Sequence, residues 1–184
     1  MKLLSTKKIK TLLLSSVLSL SLFLGGCSSL DTILNSNVTQ QSEALNKSKS
    51  EIPEGSEEAS VERVVDGDTM KLKLKNSNEV ITLRLLLVDT PESVKPGVDP
   101  QPYAIEASNF AKEVLQVNET VYIEYDSGSK TDRYNRYLGY LWYYSKENNS
   151  WQMFNKIIIE KGFARVGYIY SQKKHLDTLN EAQD

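Results

Sequence analysis

One apolar stretch of the sequence contains arginine and carboxylate residues that a buried strand does not require. Residues Arg84 to Glu92 read Arg-Leu-Leu-Leu-Val-Asp-Thr-Pro-Glu. An arginine inside such a strand, with two carboxylates at its exit, must find charged partners or serve a function. Asp89 and Thr90 before Pro91 could also cap a turn or the start of a helix. The stretch alone leaves both interpretations open.

A second carboxylate pair precedes this stretch, in Asp66-Gly67-Asp68-Thr69. Taken alone, such a sequence is common in turns. Asp68 and Asp89 together could bind a hard cation such as Ca²⁺, which takes carboxylate, carbonyl and water oxygens at about 2.3 to 2.6 Å. Without a cation, two carboxylates about 4 Å apart repel by roughly 4 kcal/mol at an effective dielectric of 20. A bound ion is therefore the simplest way to hold them close.

Two arginines, Arg84 and Arg136, could complete such a site. A guanidinium can bond two phosphate oxygens at once, whereas the ammonium of lysine is a point charge. Two arginines facing a carboxylate-held cation suit phosphoryl transfer, where catalysis is positioning plus neutralisation of charge on the phosphate oxygens. Glu92 would then be free to accept a proton from an attacking water, or to orient that water.

Alternating apolar and polar residues predict three consecutive strands that would carry these groups. The strands are expected at residues 60–65, 69–75 and 79–88, separated by turns. In the second strand the apolar face and the basic face alternate, with Met70, Leu72 and Leu74 opposite Lys71, Lys73 and Lys75. In the third strand, Arg84 should point away from the main apolar row.

The remaining elements predict how the barrel would be completed and covered. Helices are expected at residues 102–116, 153–161 and 173–184, and strands at residues 120–125 and 136–144. Five strands and three helices predict an α+β fold, mainly β, with a small closed barrel under helical cover. His175 is the only histidine. It lies in a polar segment and is expected to be a solvated surface residue.

The N-terminal region has the features of an export signal. Lysines precede an apolar run from Thr11 to Leu24, which is shorter than the roughly 20 residues of a transmembrane helix. Leu24-Gly25-Gly26-Cys27 resembles the lipobox of bacterial lipoproteins, which implies cleavage before Cys27 and lipid attachment to its sulfur. An ordinary signal peptide with a cysteine at its cleavage site is the alternative. Residues 1–26 are predicted to be the signal peptide.

Residues 27–60 are predicted to be a flexible tether that begins at the lipidated cysteine. The segment is rich in Ser, Asn, Gln and Glu, so it cannot bury enough surface to offset its chain entropy. Residues 61–184 are predicted to be one domain with slightly more acidic than basic residues. An anion-binding domain with that balance needs local positive charge or a metal. Cys27 is the only cysteine, which excludes a disulfide within the chain.

In order and spacing, these motifs closely resemble the staphylococcal nuclease family. The resemblance rests on three motifs, Val-Val-Asp66-Gly67-Asp68-Thr69, Arg84 to Glu92 and Tyr134-Asn135-Arg136. It extends to Glu106-Ala107-Ser108, Ala164 to Tyr170 and Glu181-Ala182-Gln183. It covers nearly all of residues 61–184. Each motif is weak alone, whereas the ordered set is specific.

The resemblance implies a fold and an activity. The expected fold is a five-stranded OB-fold barrel with three helices. The expected protein is a monomeric, Ca²⁺-dependent endonuclease that hydrolyses DNA and RNA, preferably single-stranded, by in-line attack of a water that leaves 3′-phosphate products. The metal ligands that it implies are Asp68, Asp89 and the backbone carbonyl of Thr90. Asp66 would lie next to these ligands without binding the ion directly.

The resemblance also implies roles for the remaining site residues. Arg84 and Arg136 would bind and polarise the phosphate, and Glu92 would be the base or the group that positions the water. The residues implied to contact the nucleotide are Arg133, Tyr134, Tyr168 and Tyr170.

Three departures from the family pattern affect these expectations. Asn135 replaces the usual glycine before Arg136, a change we expect to be tolerated because Asn enters the left-handed region more readily than most residues. The domain is slightly acidic where secreted members are typically basic, so long-range attraction to nucleic acid should be weaker. The last helix stops early, at Asp184, which bears on stability rather than on chemistry.

With the lipobox, the sequence predicts a nuclease lipid-anchored at the extracellular face of the cell membrane. A second hypothesis is a non-catalytic OB-fold lipoprotein that binds nucleic acid, which would explain the tether and the tyrosines. It does not explain why two arginines and several carboxylates occur together. A third hypothesis, a structural or adhesive lipoprotein, rests only on the anchor.

Overall fold

The computed structural model describes residues 51–93, 97 and 99–184. The strands within these residues are β1 Glu57–Asp66, β2 Thr69–Leu74, β3 Val80–Leu85, β4 Val88–Asp89, β5 Thr120–Glu124, β6 Tyr137–Ser145, β7 Ser150–Met153 and β8 Arg165–Val166. The helices are α1 Ala104–Val114, α2 Phe154–Glu160 and α3 Leu176–Gln183. The signal peptide and most of the predicted tether lie outside the described residues.

Five strands close into a barrel because β3 pairs with β6 as well as with β2. The order β3-β2-β1-β5-β6 is antiparallel throughout. Closure is parallel, with Leu83 beside Tyr137, Arg84 beside Leu138 and Leu85 beside Gly139. β7 pairs with the C-terminal half of β6, beyond the residues that pair with β3. β4 and β8 form a separate two-stranded pair. The mainly β, OB-type barrel with three helices is confirmed.

Apolar side chains that alternate along the strands fill the barrel. Those with no exposed surface include Val61, Met70, Leu72, Leu83, Ile123 and Leu141. Such burial is worth about 25 cal/mol per Å² of apolar surface removed from water, which is the main driving force for the fold. Helix α1 buries a row of alanines, and its Phe110 stacks on Phe163 with ring centroids 4.9 Å apart.

Helix α2 ends where the sequence predicts. Gly162 adopts φ +74°, and its N–H bonds to the carbonyl of Ile159 while the N–H of Phe163 bonds to that of Ile158. This pair of bonds is a Schellman motif, in which glycine adopts the left-handed conformation at no steric cost.

Two predicted boundaries differ from the structure. The single strand expected over residues 79–88 is wrong in extent, because Leu87 adopts φ 58° and divides it into β3 and β4. Strand β1 also begins before the strand start predicted at residue 60. Residues 57–60 pair with β5, where Glu57 accepts a hydrogen bond from Tyr125 and Glu58 forms an ion pair with Lys75. No helix among the described residues has the length and hydropathy to cross a membrane.

Candidate active site

Asp68 joins the β1–β2 turn to the segment that follows β3. Its Oδ2 lies 2.8 Å from Nη1 of Arg84 and accepts hydrogen bonds from the hydroxyl of Thr90 at 2.9 Å and its N–H at 3.3 Å. Its Oδ1 accepts a bond of 2.9 Å from the Thr69 hydroxyl. Only 10% of the Asp68 side chain is exposed. A nearly buried carboxylate with these partners is held in one position.

Gly67 permits this close approach. A Cβ built at Gly67 would lie 2.8 Å from Cγ2 of Thr90, closer than real Cβ atoms come to other atoms. A side chain at this position would therefore force Thr90 or the turn to shift, which would disturb the contact with Asp68. The glycine in Asp66-Gly67-Asp68 therefore serves the site as well as the turn.

Arg84 lies on the outer face of β3, as the alternation predicts. Its Nη1 donates to the carbonyl of Val88 at 3.0 Å in addition to its ion pair with Asp68. Its guanidinium carbon stands 5.0 Å from the ring centroid of Tyr168, a cation–π contact. The side chain is 11% exposed. Arg84 therefore links the first hairpin, the start of β4 and the segment after β8.

Asp89 has an arginine partner that the sequence did not reveal. Its Oδ2 accepts hydrogen bonds from Nε and Nη2 of Arg165 at 2.9 and 2.8 Å. The two residues face each other because β4 and β8 are antiparallel, and a Cβ at Gly167 would lie 2.6 Å from Cβ of Asp89. Arg165 belongs to a two-residue strand with no periodic signal. It is 77% exposed, so this ion pair contributes little to stability.

Asp66 and Glu92 occupy the loops beside these carboxylates. Asp66 is buried and accepts bonds from the N–H of Gly67 and from the N–H and hydroxyl of Ser93, so it fastens the turn to the loop after β4. Glu92 is exposed. The side-chain carbonyl of Gln101 accepts from the Glu92 N–H at 2.9 Å, and the Gln101 N–H donates to the Glu92 carbonyl at 3.0 Å. Ser93 and Gln101, which carry no motif, thus set the course of this loop.

Arg136 is held by a carboxylate in its own loop. Oδ2 of Asp132 accepts from Nε and Nη2 of Arg136 at 2.8 and 2.7 Å, and Oδ1 accepts from the backbone of Tyr134 and Arg136. Burial opposes the charge, but these hydrogen bonds outweigh it and lower the pKa of Asp132. Asn135 adopts φ 60°, which confirms the expectation that Asn takes the left-handed conformation there.

The barrel closure brings the segments that carry the two arginines together. Arg84 lies beside Leu138 in the β3–β6 register, and Arg136 precedes Leu138 by two residues, just before β6 begins.

The three tyrosines that were predicted to contact the nucleotide lie at the surface of the protein. More than half of each side chain is exposed in Tyr134, Tyr168 and Tyr170. The guanidinium carbons of Arg133 and Arg136 lie 4.7 and 5.4 Å from the ring centroid of Tyr134, and Nη2 of Arg133 donates to its hydroxyl at 2.6 Å. These rings can reach an external partner.

The donor set can be tested for its fit to a divalent cation. Asp68, Asp89 and the carbonyl of Thr90 offer oxygens only, which suits Ca²⁺ or Mg²⁺ and not the softer metals. Each carboxylate is neutralised by a guanidinium, and Arg165 competes with any cation for Asp89. Within the described ranges, no group of three or more His, Cys, Asp or Glu could hold a metal. The type of donor atom therefore suits a hard cation, while both carboxylates are paired with arginines in the structure.

The prediction for His175 is wrong. Its Nε2 lies 3.0 Å from Oε2 of Glu124, and its ring packs edge-on against Tyr140 with centroids 4.6 Å apart. Lys174 Nζ and Trp142 Nε1 lie 2.6 and 2.9 Å from the same carboxylate. Burial of Glu124 opposes its charge, but bonds from His175, Lys174 and Trp142 outweigh it and lower its pKa to about 2. The cluster joins β5 and β6 to the start of α3.

Comparison with known proteins identifies the family. A family model described as "Staphylococcal nuclease homologue" matches residues 82–184. The chain belongs to the staphylococcal nuclease family. It is 41% identical over 121 residues to a thermonuclease of Staphylococcus hyicus, and the match covers 66% of each chain. It is 39% identical over 123 residues to a thermonuclease of Staphylococcus intermedius, with 67% of each chain covered.

A relative from another genus extends the comparison. The chain is 35% identical over 125 residues to the SPbeta prophage-derived endonuclease YokF of Bacillus subtilis. That match covers 67% of this chain and 39% of YokF. The chain thus spans about two thirds of the two thermonucleases and a smaller part of this endonuclease.

Proposed function

We propose that the chain is a Ca²⁺-dependent nuclease that hydrolyses phosphodiester bonds in DNA and RNA. The contact of Asp68 with Arg84 and Thr90 carries the proposal, because it joins the first hairpin, β3 and the β4 loop at one place. Membership of a family that includes thermonucleases and endonucleases supports the same activity. The slightly acidic chain makes such local chemistry necessary, since net charge does not favour nucleic acid.

In this mechanism the two arginines bind the scissile phosphate. Arg84 lies on β3 and Arg136 immediately precedes β6, the strand paired with β3, so their guanidiniums would contact different oxygens of one phosphate. Asp132 fixes the orientation of the Arg136 side chain through two bonds. Positive charge on both sides stabilises the charge that develops on the phosphate oxygens as water attacks.

Glu92 orients the attacking water or accepts its proton. Its exposed side chain stands on a backbone fixed by Gln101, next to the loop that carries Asp89. The oxygen of water bonds to phosphorus, the bond from phosphorus to the 5′-oxygen breaks, and that oxygen leaves with a proton. The products are a 3′-phosphate and a 5′-hydroxyl.

The calcium ion would be held by Asp68, Asp89 and the Thr90 carbonyl. Asp66 would help to position these ligands without binding the ion directly. When bound, Ca²⁺ would supply positive charge that lowers the cost of bringing the phosphate close to two carboxylates.

Exposed aromatic rings provide the nucleotide subsite. The rings of Tyr134, Tyr168 and Tyr170 can stack on bases or sugars. Arg133, which contacts the Tyr134 ring, lies at the edge of this subsite. Stacking requires bases free of a duplex, which supports a preference for single strands.

We also propose that the mature protein is a monomer attached to the outer face of the cell membrane by lipid on Cys27. The short apolar run and the lipobox-like sequence support this anchor.

Digestion of single-stranded DNA tests the proposed activity. The protein should degrade the DNA with CaCl₂ and not with EGTA, and the new ends should accept phosphate from polynucleotide kinase without prior dephosphorylation, because they carry 5′-hydroxyls. Binding without degradation in CaCl₂ would instead support the non-catalytic binding protein.

A further inference from the structure

A row of basic side chains leads away from the candidate site along the outside of the barrel. Lys71 and Lys73 alternate along β2 with fully buried Met70 and Leu72. In the sheet register Lys71 lies between Arg63 of β1 and Thr82 of β3, and Lys73 lies between Ser60 and Val80. We call Arg63, Lys71 and Lys73 the β2 track.

The β2 track is continuous with Arg84. Thr69, the first residue of β2, pairs with Arg84, and Lys71 is the next residue on that outer face. Residues two apart in a strand are separated by roughly 7 Å. Cations therefore recur from Arg84 through Lys71 to Lys73 at intervals comparable with the separation of successive phosphates in an extended single strand.

The charges of the β2 track are available to a ligand. Among the described residues, neither Arg63 nor Lys71 nor Lys73 has a carboxylate within ion-pair distance. Glu62, exposed at the β1 bulge, reduces the local positive charge without cancelling it. In a chain whose net charge is −2, this local excess of positive charge favours binding of a polyanion on this face of the barrel.

A recess lies at the far end of the β2 track. It has a volume of about 300 Å³, and its lining consists of Ala59 and Leu74 together with the polar residues Glu58, Ser60, Lys73, Lys75, Asn78 and Thr120. Lys75 is paired with Glu58 at 2.6 Å, which leaves Lys73 as the cation facing both the recess and the track. The hydroxyls, amide and ammonium here can bond phosphate and sugar oxygens.

We propose that the β2 track binds the phosphodiester backbone of a single-stranded substrate on one side of the scissile bond, with the recess receiving a further nucleotide. The proposal rests on the proposed function, because it takes Arg84 as the contact to the scissile phosphate. Contacts from flexible lysines to phosphates carry no base information, so the track increases affinity for long strands of any sequence.

Substrate length provides the test. The variant Lys71→Gln/Lys73→Gln is compared with Lys112→Gln/Lys161→Gln, which removes the same charge from exposed positions on α1 and at the end of α2. Each protein is assayed in CaCl₂ on a 20-nucleotide thymidylate and on a thymidine dinucleotide, which has a single phosphate and cannot reach the track.

The track variant should raise KM for the 20-nucleotide strand and leave kcat unchanged. A single-strand phosphate contact contributes about 0.7 to the slope of log affinity against log salt, so at 0.1 M salt two contacts amount to about 25-fold in KM, with a slope lower by about 1.4. KM for the dinucleotide should not change, and the control variant should resemble the wild type on both substrates.

Other outcomes overturn the proposal. Equal KM increases for both substrates, or an effect no larger than that of the control, would exclude a backbone-binding track. Loss of binding to phosphatidylglycerol vesicles, with KM for the 20-nucleotide strand unchanged, would assign these lysines to the membrane instead. If the wild type cleaves neither substrate, the proposed function fails. In that case, binding of the fluorescently labelled 20-nucleotide strand is measured by anisotropy. The proposal for the β2 track holds only if Lys71→Gln/Lys73→Gln binds the strand more weakly than the wild type while the control variant does not.

Discussion

Replacing Arg84 by alanine tests the candidate site in stability and activity at once. The substitution removes a guanidinium that is 11% exposed from a carboxylate that is 10% exposed, at a separation of 2.8 Å. It also removes the bond to the Val88 carbonyl and the contact with the Tyr168 ring. Asp68 keeps its hydrogen bonds to Thr69 and Thr90 but loses its cation.

The loss of stability follows from these contacts. Breaking a buried ion pair by removing one partner costs about 3 to 5 kcal/mol. The remaining bonds to Asp68 place the expected loss near the lower value, about 3 kcal/mol. With a urea slope of about 2 kcal/mol per molar, the midpoint of unfolding should fall by about 1.5 M. A domain of ordinary stability would still be folded in buffer.

Calcium should offset this loss without restoring activity. An ion at 100 times its dissociation constant stabilises the folded state by about 2.7 kcal/mol, because it binds only the assembled carboxylates. Cleavage of single-stranded DNA should nevertheless fall by about 10³ to 10⁵, the range for an arginine that stabilises a phosphoryl-transfer transition state.

Two companion variants make the result decisive. Arg165→Ala breaks an exposed ion pair and should cost less than about 1 kcal/mol. Asp68→Asn should abolish the stabilisation by calcium. Urea unfolding with CaCl₂ or EGTA measures all three. If Arg84→Ala keeps more than a tenth of wild-type activity, Arg84 does not bind the reacting phosphate. If calcium stabilises Asp68→Asn as much as the wild type, Asp68 is not a ligand.

Three further predictions concern other parts of the chain. Gly167→Ala places a Cβ against Cβ of Asp89 and should destabilise the fold by about 1 to 3 kcal/mol while weakening calcium binding, measurable by urea unfolding and calcium titration. The folded-state pKa of Glu124 is depressed to about 2, so its stabilisation is complete above its ordinary value of 4.5 and is lost as pH falls from there to about 2. Glu124→Gln should therefore flatten stability over that pH range, and an unchanged acid unfolding curve would contradict it. Cys27→Ala should move the protein from the membrane fraction to the medium, as immunoblots of fractionated cells would show.

Local sequence patterns were sufficient to predict most elements of the fold. Alternation in β2 and the glycine after α2 each encode structure within a few residues, and both predictions are confirmed. The pattern failed at Leu87, because an apolar residue in a left-handed conformation has no local signature. It also gave no sign that β8 pairs with β4, because two residues are too few to show a period.

The residues of the candidate site were proposed from the sequence, but the contacts among them could not be. Arg84 was expected to bind phosphate, yet its ion pair with Asp68 depends on how β2 and β3 pair. The Asp89–Arg165 and Glu124–His175 pairs join segments that meet only through tertiary packing. His175 was predicted to be solvated because its neighbours in the sequence are polar. Its neighbours in space are a buried carboxylate and an aromatic ring.

The parallel seam between β3 and β6 has a consequence for folding. Arg84 and Arg136 are far apart along the chain, and this seam brings the segments that carry them together. A chain in which β3 and β6 have not yet paired would carry every residue of the candidate site and yet could not present both arginines to one phosphate. In the proposed nuclease, activity would therefore appear only when the barrel has closed.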